Sequence, residues 1–211
     1  MALLIFDLDG TLIDSRADLT TGVNVMRARH NLPPLELSQV VSMVGEGKRV
    51  LVKRALPGLD NEDQVTAAAQ EFSECYQQHL LDQTCLYPHV EETMTELART
   101  HQLAVVTNKP TQAAERILES LGIKKLLSVL LGGESVPALK PAADGLLLAA
   151  QMTHADLSRT WMFGDHWTDL EAAARAGVKA CFCAWGFGKM KEQKAHAILN
   201  DFSQLPCIIN P

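Results

Sequence analysis

The sequence predicts an α/β protein, a Rossmann-like parallel sheet interrupted after its first strand by an all-helical insertion. Three observations predict it. The chain opens on an apolar run, Leu3-Leu4-Ile5-Phe6, which leads straight into Asp7-Leu8-Asp9-Gly10-Thr11. From Tyr87-Pro88 onward, short apolar runs alternate with amphipathic stretches. Between these two regions, residues 15–83 carry helical spacing and no convincing strand. Strands alternating with helices imply right-handed crossovers and a parallel sheet covered on both faces. The expected division is therefore a core of residues 1–14 and 84–211 around a helical domain of 15–83.

The first strand is expected to run into the aspartates. A short apolar run closed by a glycine suits a buried, central, parallel strand. Residues two apart in a strand share a side, so Asp7 and Asp9 are expected on one face at its carboxyl edge, where open α/β sheets hold ligands. Gly10 lets the chain turn or approach a neighbour without a Cβ. Leu19, Val23, Val25 and Met26 then recur at helical steps until Asn31-Leu32-Pro33-Pro34 stops them. Helical segments follow over 37–44, 48–56 and 64–81, punctuated by Gly45-Glu46-Gly47 and Pro57-Gly58. Beyond Tyr87 the spacing predicts helices over 90–99, 113–121, 142–152 and 170–176. It predicts strands over 103–106, 126–131, 160–163 and 178–184, with a last short one at 197–199.

Composition sets bounds. With 47% hydrophobic and 21% charged residues, the chain of 211 is an ordinary globular sequence. Its net charge of −6 offers no general attraction to nucleic acid or an anionic membrane, so an anionic substrate needs a local cation or metal ion. Met1–Phe6 is too short for a signal-peptide core, and no stretch approaches the ~20 apolar residues of a membrane span. Five scattered cysteines form no C-x-x-C pair and fit small buried hydrophobes in a reducing, cytoplasmic setting.

Three predicted strand ends carry polar residues: Asp7/Asp9, Thr107-Asn108-Lys109 and Gly164-Asp165-His166-Trp167-Thr168-Asp169. Neighbouring parallel strands lie about 4.8 Å apart, so these ends can crowd into one pocket. Two like charges about 4 Å apart repel by about 4 kcal/mol at an effective dielectric of 20. Up to four gathered aspartates therefore call for a cation, and an all-oxygen donor set suits Mg²⁺. Taken singly, Asp165 and Asp169 also suit a helix N-cap and first turn, and Lys140 suits a solvated lysine.

Asp7-Leu8-Asp9-Gly10-Thr11 resembles the first motif of the haloacid dehalogenase superfamily, most of whose members are phosphatases. The resemblance implies roles in order: Asp7 as the nucleophile that forms an aspartyl-phosphate and Asp9 as the general acid/base. It implies Thr107 as a hydroxyl on the phosphoryl oxygens, with Asn108 beside it in the substrate pocket. Lys140, in Leu139-Lys140-Pro141, would neutralise charge on nucleophile and phosphate, while Asp165 and Asp169, with Asp7 and Asp9, would hold the metal. Val44-Gly45-Glu46-Gly47 with Leu51–Leu56, Tyr87-Pro88, Gly132-Gly133 and Val136-Pro137 resemble phosphoglycolate phosphatase-like members, nearly to Gly188. In such proteins the helical insertion is a lid, and Glu46, Lys48 or Arg49 would touch substrate. His166 and Trp167 depart from the family pattern, in which serine often follows the fourth-motif aspartate.

The resemblance implies a Mg²⁺-dependent phosphatase acting on a small phosphorylated metabolite, phosphoglycolate-like or a sugar phosphate. It implies no nucleic-acid or membrane partner and a monomer or weak homodimer. A β-phosphoglucomutase-type phosphomutase shares all four motifs, and a non-catalytic phosphate-ligand-binding protein is the alternative of another class.

Overall fold

The computed structural model describes residues 1–209. Two compact units emerge, one of Met1–Asp14 with Leu86 onward, the other Ser15–Cys85, so the return crossing falls two residues later than expected. Residues 210 and 211 of the expected core segment lie outside the described residues. No helix among the described residues is long and apolar enough to cross a membrane.

The first unit is built on six strands: β1 (Leu3–Phe6), β2 (Gln102–Val106), β3 (Val129–Leu131), β4 (Thr160–Gly164), β5 (Lys179–Cys183) and β6 (Ala197–Leu199). They lie in the order β3-β2-β1-β4-β5-β6, every neighbouring pair parallel. The chain works outward from β1 in one direction and then in the other. The switch point therefore lies between β1 and β4, and such a crevice receives ligands in open α/β sheets. Register fixes what meets there: Phe6 stands beside Phe163 and Val105.

Alternation along the strands loads both faces. Leu3, Ile5, Ala104, Val106, Val129, Leu131 and Met162 pack in one buried cluster with Leu146 and Ala149 of one helix and Leu170 and Ala173 of another. Phe6 turns the other way and stacks on Phe163, ring centroids 5.1 Å apart, with Phe202 at 5.8 Å.

The second unit is helical: α1 (Arg16–Arg29), α2 (Leu37–Val41), α3 (Lys48–Ala55) and α4 (Glu62–Gln77). The helix expected over 64–81 starts earlier because Asn61 caps it, accepting from Gln64 N–H at 2.9 Å in a reciprocal capping box. It also ends earlier, and His79 and Asp82 instead close a turn at 2.7 Å. Buried Asp18 of α1 accepts from the backbone N–H groups of Gln83 and Thr84 and from the Thr84 hydroxyl. That carboxylate ties the last residues of the unit to its first helix.

In the sheet unit the helices are α5 (Val90–Leu97), α6 (Thr111–Ser120), α7 (Asp144–Met152), α8 (Trp167–Ala176) and α9 (Leu205–Ile209). Helix α6 begins before the expected Ala113 because Thr111 N–H, one of its orphan donors, finds Glu134 Oε2 at 2.9 Å. Helix α8 begins three residues before the expected Leu170, where His166 and Asp169 form a capping box. The tail holds α9, which the sequence pattern did not signal.

Candidate active site

The site grows from the carboxyl ends of β1, β2 and β4. Strand β1 ends at Phe6 rather than reaching the aspartates, and Asp7 N–H still donates to Phe163 O at 2.9 Å. The next residues turn: Thr11, Leu12 and Ile13 N–H all donate to Leu8 O, and Asp9 bridges Ile13. Same-side alternation therefore does not carry from Asp7 to Asp9. Gly10 has φ +84°, and a Cβ there would lie 2.1 Å from Asp165 Oδ2, so the position needs glycine for both conformation and space. Gly164 makes room in the same way, since its Cβ would fall 2.2 Å from Asp169 Oδ2.

Asp7, Asp165 and Asp169 meet. Each is buried, and each offers a carboxylate oxygen within 4.8 Å of the others. Lys140 Nζ lies between two of them, 2.8 Å from Asp7 Oδ1 and 2.7 Å from Asp169 Oδ1, and donates to Val106 O at 2.8 Å. The Lys140 side chain is only 2% exposed. Asp165 Oδ2 accepts from Phe187 N–H at 3.0 Å and Gly188 N–H at 2.7 Å. Asp169 Oδ2 accepts from His166 N–H at 3.0 Å, closing the helix cap. The capping and acidic-cluster readings of Asp169 are thus both true.

Electrostatics follow from this crowding. Burial pushes the Asp7 carboxyl up to about 6, the Lys140 ammonium pulls it down and Asp169 pushes it up. Burial, then Asp169 and Asp7, raise Asp165 well above the usual carboxylate range. For Lys140, burial pulls the pKa down, but Asp169 and Asp7 outweigh it and the net shift is upward. One ammonium serves a cluster of three carboxylates. Such a group is costly to ionise without a further cation, and its all-oxygen donors fit a hard divalent ion.

Asp9 does not join the three carboxylates. Lys109 Nζ donates to both its oxygens, at 2.9 and 3.1 Å, from a side chain 3% exposed. The expected metal set of four therefore becomes a cluster of three with Asp9 held apart by its own lysine. Lys109 was not among the expected site residues. Its signal was present in Thr107-Asn108-Lys109, but spacing does not separate a lysine folded back on a carboxylate from a solvated one.

Thr107 is buried just past β2, and its Oγ1 accepts from Lys109 N–H at 3.2 Å. Asn108 turns its amide onto the backbone of Lys140, donating to the carbonyl and accepting from the N–H at 2.9 Å each. His166 Nδ1 lies 2.8 Å from Thr168 Oγ1 at the start of α8. Trp167 is covered by Lys191, whose Nζ lies 4.2 Å from the ring centroid. In the helical unit Glu46 pairs with Arg54 at 2.7 Å, and Arg49 donates to Thr66 and pairs with Glu62. Lys48 opens α3, half-buried.

This constellation sets three buried carboxylates beside one buried ammonium, with a fourth carboxylate, Asp9, held apart by Lys109. A model of haloacid dehalogenase-like hydrolases matches residues 4–183, which include every strand end just described. The chain belongs to that family. It is 34% identical to a phosphoglycolate phosphatase of Pasteurella multocida over 97% of this chain and 96% of that one. It is 32% identical to an N-acetylmuramic acid 6-phosphate phosphatase of Pseudomonas aeruginosa, over 92% of this chain and 86% of that one. Among solved structures, a predicted phosphoglycolate phosphatase from Haemophilus somnus superposes with a TM-score of 0.90 at 32% identity, covering 99% of this chain and 97% of that one.

Proposed function

We propose that the protein is a Mg²⁺-dependent phosphatase of small phosphomonoesters, phosphoglycolate-like or sugar phosphates, working through an aspartyl-phosphate. The observation that carries this reading is the buried triad Asp7, Asp165 and Asp169 with Lys140 inserted between two of its members. The relatives named phosphatases support the class of reaction.

Asp7, Asp165 and Asp169 would hold the ion, which when bound supplies positive charge to the phosphoryl oxygens and keeps the carboxylates ionised. An Asp7 oxygen attacks phosphorus as the ester P–O bond breaks, and Asp9 gives its proton to the departing alkoxide. Water then attacks the aspartyl-phosphate, Asp9 takes a proton from it, and inorganic phosphate leaves with Asp7 restored. Lys140 balances charge on Asp7 and the phosphoryl group throughout. Thr107 Oγ1 accepts from Lys109 N–H, so its own proton remains to donate to a phosphoryl oxygen. Lys109 holds Asp9 through both oxygens, the arrangement of the ionised form that takes the proton from water.

The test is phosphate release from a panel of phosphomonoesters with Mg²⁺ and with chelator. Asp7→Asn is expected to abolish release while circular dichroism and melting show the fold retained. Parent-like turnover by that variant would refute the nucleophile, and a flat response across the panel would refute the phosphatase.

A further inference from the structure

Asn108 binds one residue with both ends of its side chain. Its Nδ2 donates to the Lys140 carbonyl, and its Oδ1 accepts from the Lys140 N–H, each at 2.9 Å. Two opposed backbone residues in a β-ladder exchange the same pair of bonds, so here a side chain stands in for a strand. Val106, two residues earlier, accepts from Lys140 Nζ at 2.8 Å. The last residue of β2 and the short segment after it therefore hold both the ammonium and the backbone of this lysine.

Lys140 needs such support. Residues 132–143 form no helix or strand, so no ladder of their own fixes the lysine. A lysine stem has several rotatable bonds and loses much entropy when it is held in one geometry. Its Nζ must nonetheless reach Asp7 and Asp169 together, and misplacement of a catalytic group by about 1 Å can cost about 100-fold in rate.

We infer that Asn108 is a positioning residue for Lys140: its amide pins the Lys140 backbone so that the ammonium bridges Asp7 and Asp169. This replaces the substrate contact implied for Asn108 by family resemblance. The kinetic part of the test rests on the phosphatase reading; the labelling part does not.

In the labelling part, an amine-reactive acetylating reagent is applied to the folded protein, and acetylation of each lysine is followed by mass spectrometry. Lys140 and Lys109 are both buried in the parent and serve as target and internal reference. Asn108→Ala is expected to speed acetylation of Lys140 by about tenfold or more while Lys109 changes by less than about twofold. An unchanged Lys140, or an equal rise at both lysines, would overturn the inference, the second because it signals general loosening.

In the kinetic part, Asn108→Ala with Mg²⁺ is expected to lower kcat roughly ten- to a hundredfold with KM within about twofold. In a Lys140→Met background the same change should add less than about twofold, because the residue it acts through is gone. A loss carried by KM, or a full-sized effect in that background, would assign Asn108 to the substrate instead. Should the parent hydrolyse no ester, or Lys140→Met fail to fold, the labelling result decides alone.

Discussion

Replacing Lys140 with methionine isolates the electrostatic core of the site. Methionine keeps an unbranched stem of similar length and removes the charge that sits 2.8 Å from Asp7 and 2.7 Å from Asp169. Breaking one side of a buried ion pair typically costs about 3–5 kcal/mol, because the remaining charge is left unpaired. Here two carboxylates lose one shared partner, so the upper part of that range applies in chelator near neutral pH. For a chain of about 200 residues each kcal/mol moves the melting temperature by about 2–4 °C, giving a fall of roughly 8–20 °C. A divalent cation offers the same carboxylates another countercharge, so saturating Mg²⁺ should remove at least about half of the deficit. Thermal melts followed by circular dichroism, with chelator and with Mg²⁺, measure both quantities. A variant melting within about 2 °C of the parent in chelator, or showing the same deficit under both conditions, would refute the account of the site as a cation-starved cluster.

The other predictions concern protons, space and the helical unit. The pKa of Asp7 is pushed up from 3.8 to about 6, and that of Asp165 rises too. Folding therefore favours their protonated forms: this contribution is complete below the unfolded value and is lost as pH climbs from 3.8 to about 6. A bound cation must displace those protons, so the Mg²⁺-induced rise in melting temperature should be clearly larger at about pH 7.5 than at about pH 5; equal shifts would contradict the direction. Gly10→Ala places a Cβ against Asp165 and strains a left-handed backbone, and should cost about 2–4 kcal/mol and remove most of the Mg²⁺-induced stabilisation. Urea melts with and without Mg²⁺ would show this. Asp18→Ala leaves the Gln83 and Thr84 donors without their carboxylate and should destabilise the protein by about 2–4 kcal/mol, read by the same melts.

Much of the fold was written in short-range pattern. Apolar runs of four or five residues marked β1, β2, β4 and β5, because a strand buried on both faces has little room for polar residues. The polar residues closing those runs marked the site, because strand ends in a parallel sheet share one edge. Helix starts were missed where side chains three residues apart cap each other, as at Asn61 with Gln64 and His166 with Asp169. Helix α9 carried no apolar stripe long enough to show a period.

By itself the sequence determined the alternation of elements, the identity of the acidic strand ends and the family. Those are properties of local spacing, and local spacing survives in a linear string. Only the tertiary structure decided that Asp9 faces Lys109 rather than the other three aspartates, that Lys140 reaches into the cluster, and that both ends of the Asn108 amide grip the Lys140 backbone. Each of these pairs residues 29 or more positions apart through strand order and register. Which carboxylate receives which lysine depends on where the turns after β1 and β2 aim the side chains, and no periodicity records that aim.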